Sequence, residues 1–95
     1  MNLYLVHVGF YNETWGNNIF ENHTNFLVVA ENPQDAKAKV KAKDEVKQWR
    51  MHIDGIIHIE QVDGYKVQLA EPCGDATIMN TITHRELAPT PTPTK

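Results

Sequence analysis

The run LYLVHVGF, Leu3 to Phe10, is apolar on both sides of an extended chain. Side chains alternate along a strand, so Tyr4, Val6, Val8 and Phe10 share one face and Leu3, Leu5 and His7 the other. Such a strand has to be covered twice, once by a helix and once by something further. With 95 residues the chain has little left to serve as that second cover. A domain of this length buries only about 60% of its unfolded surface. A homodimer is therefore the expected state, with a second copy closing the outer face. The length also sets the organisation: one domain over residues 1–87, then a disordered Pro/Thr-rich tail, 88–95, which is polyproline-II-prone and buries nothing.

Composition narrows the class of protein. At 41% hydrophobic and 22% charged, the chain is an ordinary soluble globular domain. A net charge of −3 gives no general attraction to nucleic acid or acidic lipid, so neither is an expected partner. The single cysteine, Cys73, excludes an internal disulfide and fits a reducing compartment. No apolar run approaches the roughly 18 residues a membrane helix needs, and MNLYLVHVGFY reads as a first strand rather than a signal peptide. The expected location is the cytoplasm, which makes the sequons at Asn12 and Asn22 coincidental.

Tyr11 to Asn25 is polar, with Gly16 and five asparagines, and predicts a long loop of the kind that often carries function. Phe26 to Ala30 is a second buried-type strand. Asn32-Pro33-Gln34-Asp35 then opens a helix: a good N-cap, a proline at the first turn and an acid at the positive end of the dipole. The following AKAKVKAK alternates like a strand, but alanine and lysine favour helices and the cap agrees. As a helix it scatters Lys37, Lys39, Lys41 and Lys43 around the cylinder and removes an apparent basic patch. Its apolar stripes are thin, Ala36 with Val40 and Ala38, Ala42, Val46 and Trp49, so a modest contact and fraying beyond Lys43 are expected. Ala76 to Thr83 reads as a short β segment.

Val62-Asp63-Gly64-Tyr65 lies between two strand-like runs and predicts a hairpin. Parity selects its loop. A two-residue turn places Glu60 opposite Val67 and mixes polar with apolar side chains. A three-residue loop puts Ile57, Ile59, Tyr65, Val67 and Leu69 on one buried face and His58, Glu60, Lys66 and Gln68 on the other. That loop needs a left-handed residue, which Gly64 supplies. The expected fold is α+β, ordered β-β-α-β-β, a mostly antiparallel sheet with one helix on a face.

Two acid–imidazole pairs are suited to proton transfer or to binding a ligand: Glu21-x-His23 in the long loop and His52-x-Asp54 before the hairpin. With Trp15 as an aromatic wall, Glu21, His23, His52 and Asp54 are the candidate ligand-binding residues. Each pair has a plainer explanation, a solvated loop for the first and turn chemistry with a surface histidine for the second. His58 and Glu60 read as solvent-exposed, and His7 as a satisfied core or interface histidine. A rim of Tyr4, Tyr11, Trp15 and Phe20 is placed to stack a ligand. Without C-x-x-C, H-E-x-x-H, a glycine-rich phosphate loop or a G-x-S-x-G elbow, no catalytic residue and no metal ligand is assigned, and any cofactor stays open.

LYLVHVG, Glu21-x-His23, LVVAENPQDAKAK, HIDG and VDGYKVQL together resemble the bacterial domain-of-unknown-function family 1543, over about Leu3 to Leu69. The chain differs from the family pattern in the loop before Glu21 and at Thr24, where an acid often follows the histidine. The resemblance implies a small α+β domain, single or doubled, without an assigned activity. A non-enzymatic homodimeric module binding a small molecule or a protein is favoured. The alternative is a small metal-dependent or hydrolase-like enzyme using Glu21, His23, His52 and Asp54. Convergence of the two pairs distinguishes them. If they meet, the role expected first is a hydrogen-bonded pin on the long loop, and the second a divalent metal site with an open position for water, walled by Trp15 or Phe20.

Overall fold

The computed structural model describes residues 1–14 and 17–88, so Trp15 and the tail from Pro89 onward lie outside the described residues. Eight elements follow one another: β1 (Asn2–Tyr11), β2 (Glu21–Ala30), α1 (Pro33–Lys41), α2 (Asp44–Gln48), β3 (His52–His58), β4 (Gln61–Val62), β5 (Tyr65–Lys66) and α3 (His84–Leu87). The main sheet has the order β2-β1-β3, and both outer strands run antiparallel to β1. Hence β2 and β3 are parallel to each other, and the helical segment joining them crosses over β1. The expected α+β class, an antiparallel sheet with a helical layer on one face, is what the chain forms.

One face of the sheet makes the core. Tyr4, Val6, Val8 and Phe10 of β1 point to that side, with Val28 and Ala30 of β2, and all are buried. Ala36 and Val40 of α1 and Val46 of α2 close over them, and Ile53 and Ile56 of β3 pack at the side. Val6, Val8 and Val40 have no exposed surface. Burying each such side chain stabilises by about 1.5–3 kcal/mol. The helix starts as its sequence dictates: Asn32 Oδ1 accepts from the Asp35 amide at 2.8 Å, with Pro33 in the first turn. Lys39 Nζ donates to the Val29 carbonyl at 2.7 Å and so covers part of the outer edge of β2. Beyond Ala42 the chain restarts as α2, which buries Val46 and leaves Trp49 38% exposed.

Several expectations fail, each for a physical reason. Within the polar segment after Tyr11, Glu21 to Asn25 is not loop but belongs to β2 and pairs with β1 through Tyr11↔Glu21 to His7↔Asn25. Its side chains are polar because this end of the sheet is polar, not because it is a loop. The hairpin has a two-residue turn, with Val62 opposite Tyr65 and the Val67 amide bonded to the Glu60 carbonyl at 3.0 Å. Asp63 and Gly64 both have positive φ, 52° and 84°, the pattern of a type I′ turn. A three-residue loop would need a buried face, yet Ile57, Tyr65 and Leu69 are 57%, 79% and 39% exposed. With no burial to select the register, local turn chemistry decides it. For the same reason β4 and β5 form a sheet of their own instead of extending the main one.

Ala76 to Thr83 forms no strand and is exposed throughout, so it lacks the burial that would stabilise one. Tyr4 is 2% exposed and belongs to the core, not to an aromatic rim, whereas His58, its ring 5.0 Å away, is exposed as expected. A bulge in β3 inverts the expected parity: His7 is level with Gly55 and Val8 with Ile53, which leaves Asp54 as the extra residue.

Candidate functional site

The other face of the main sheet is open. Leu27, Val29 and Ile57 are exposed at one end of it, and the polar side chains gather at the opposite end. There Gly9 of β1 stands level with His23 of β2 and with His52 of β3. Glu21 begins β2, and the bulge aims Asp54 to the same side as His52. Glu21 Oε1 accepts from His52 Nε2 at 2.7 Å. His52 Nε2 is also 3.2 Å from Asp54 Oδ1, and His23 Nδ1 is 3.3 Å from Asp54 Oδ2. His23 Nε2 lies 3.7 Å from Glu21 Oε1. The two sequence pairs, E-x-H and H-x-D, thus meet as one four-residue cluster.

Gly9 makes the meeting possible. A Cβ there would collide with Glu21 Oε1, fall 2.6 Å from His52 Nε2 and 3.0 Å from Asp54 Oδ2. Only a residue without a side chain leaves room for those three atoms to converge above the strand. Beside them, His7 Nδ1 donates to Asn25 Oδ1 at 2.7 Å, and the His7 ring stacks on His23 with centroids 4.9 Å apart and planes within 5°. Sequence reasoning missed Gly9, His7 and Asn25 as parts of the site. The legible signal was the glycine itself, which interrupts a strand of apolar and branched residues and so marks a close approach.

Chemically the cluster is a concentrated set of cation ligands. Glu21, His52 and Asp54 each bring one donor atom to within 4.8 Å of the others. The partners of both carboxylates among the described residues are histidines, so two negative charges sit close together without a lysine or arginine between them. The side chains are 33–49% exposed, so water and ions reach them freely. Neither of two larger clefts coincides with the cluster. One, of about 750 Å³, lies between the segment Leu69–Met79 and the β2 side of the sheet. The other, of about 540 Å³, lies by Trp49 and touches the cluster only through His23. Phe20 is 69% exposed and walls no enclosed space. The cluster is shallow and suits an ion and its waters better than an organic ligand.

Fold and site together define a small α+β domain with an exposed histidine–carboxylate cluster on its open sheet face. The family profile described as Domain of Unknown Function (DUF1543) matches residues 18–69, and the chain belongs to that family. Glu21, His23, His52 and Asp54 all fall inside the matched residues, whereas β1, with His7 and Gly9, precedes them. No curated protein gives a significant match. No solved structure does so either. Among the described residues, no helix is long and apolar enough to cross a membrane.

Proposed function

We propose that the chain is a small cytoplasmic, homodimeric binding module whose ligand is a divalent cation held by Glu21, His52 and Asp54, with His23 alongside. The observation that carries this is the convergence of Glu21, His52 and Asp54 above Gly9, with His23 within reach of both carboxylates. Ligand atoms around an ion about 2.1 Å from each lie roughly 3.4 Å apart in a tetrahedron. The His52–Asp54 and His23–Asp54 separations, 3.2 and 3.3 Å, are close to that edge. The 2.7 Å Glu21–His52 hydrogen bond has to open by less than 1 Å, the ion taking the place of its hydrogen. A pin on the loop is the weaker explanation. Glu21 and His23 lie in a strand already tied to β1 over its whole length, and exposed ion pairs contribute only about 0–1 kcal/mol.

The same residues support a second, enzymatic reading, favoured by their solvent access: a bound ion with a free position for water is a hydrolytic centre. The exposure of the four side chains, 33–49%, supports the binding module, since it leaves a bound ion open to water on a shallow surface. Thermal melts of the metal-free chain with added zinc test the proposal. At 100 times its Kd a ligand stabilises by about 2.7 kcal/mol. In a domain of this size that raises Tm by ~10–20 °C. An unchanged Tm with zinc, together with a lowered Tm in the His23→Ala and His52→Ala variants, would identify the cluster as a pin. Turnover of activated phosphate or carboxylate esters by the zinc-loaded wild type, lost in both variants, would establish the enzyme.

A further inference from the structure

His7 is not needed for the cation described above, yet it stands in a second donor group: His7, His23 and Asp54 also bring one donor atom each to within 4.8 Å of one another. The two groups share a single residue, Asp54, and its two oxygens face different histidines. Oδ1 is 3.2 Å from His52 Nε2, and Oδ2 is 3.3 Å from His23 Nδ1. A carboxylate placed this way between two sets of nitrogen ligands is arranged to bridge two cations. The orientation of His7 points to the same use. The Asn25 oxygen takes up Nδ1 at 2.7 Å, so Nε2 is the ring nitrogen left for a further ligand. A hydrogen bond from the far nitrogen that fixes ring and tautomer is the usual support of a metal-binding histidine.

On the cation-binding reading above, we infer that the site holds two divalent cations: one on Glu21 and His52, the other on His7 and His23, joined through the two oxygens of Asp54. The donor set, three imidazoles and two carboxylates, suits ions of the zinc, cobalt and manganese type rather than calcium or magnesium, which prefer all-oxygen sites. Asn25 is a positioning residue for the second ion and does not itself bind it.

Titration of the full, metal-free chain with cobalt(II), followed by calorimetry and by electron paramagnetic resonance, tests this. Two equivalents are expected. The signal of the first should lose intensity as the second binds, because two ions on one bridging carboxylate couple magnetically. His7→Ala should bind one equivalent with an uncoupled signal. Asn25→Ala keeps the His7 ring but loses its anchor, and should weaken only the second equivalent, by about 10–100-fold. One equivalent in the wild type would overturn the two-ion arrangement while leaving the cation-binding reading standing. Two equivalents unaffected by His7→Ala would also overturn it, since the second ion would then bind elsewhere. No bound cobalt would remove both. Circular dichroism of each variant separates lost binding from lost fold.

Discussion

A methyl group on Gly9 would meet Glu21, His52 and Asp54 at once, and all three belong to exposed side chains that can swing away into water. Gly9→Ala should therefore disperse the cluster without unfolding the sheet. Alanine recovers about 0.5–1 kcal/mol of the backbone entropy that glycine costs inside a strand. The expected result is a Tm within a few degrees of wild type and a loss of zinc affinity of tenfold or more by calorimetry. Unchanged affinity would mean that the ligands do not meet above this residue. At this scale the sequence was partly readable. Both acid–imidazole pairs stood out from their i, i+2 spacing, which in strands sends two side chains the same way. That they meet depends on a pairing between strands some thirty residues apart, which no local pattern encodes. The bulge that frees Asp54 is a further product of that pairing.

Elements whose rules are local came out as the sequence implied. Asn32 caps α1 through its own side chain, and alanine and lysine propensity settles the ambiguous AKAKVKAK run as helix. Elements whose register depends on burial did not. A three-residue hairpin loop needs Ile57, Tyr65 and Leu69 on a buried face, and all three stay exposed, so Asp63-Gly64 imposes its own turn. Because the hairpin contributes nothing to the core, Gly64→Ala should cost on the order of 1 kcal/mol locally through strain at a positive φ. Hydrogen exchange should show faster exchange of the Val67 amide, which bonds across the hairpin, with global Tm unmoved. Val6→Ala, by contrast, opens a void at a position with no exposed surface in the central strand. It should cost about 2–3 kcal/mol and lower Tm by ~10–20 °C in a thermal melt.

The chain has a radius of gyration of 17.9 Å, against about 12 Å for a compact domain of its length. The excess comes from its second part, since every described residue after Val67 is exposed, including Ile78, Met79, Ile82 and Leu87. The doubly apolar first strand is covered on one face only, and the exposed Leu27, Val29 and Ile57 on the other face support pairing with a second copy. Light scattering at tens of micromolar should give twice the chain mass, and Val29→Lys should return it to one; a wild-type monomer would contradict the pairing. Composition and strand patterning pointed to an uncovered face, but not to what occupies its polar end. That occupant is the central claim, and calorimetric titration of the metal-free chain with zinc tests it most directly. Saturable binding that disappears in a His23→Ala, His52→Ala double variant of unchanged circular dichroism is the expected result. Absence of binding by the wild type, or binding that survives in the double variant, would contradict it.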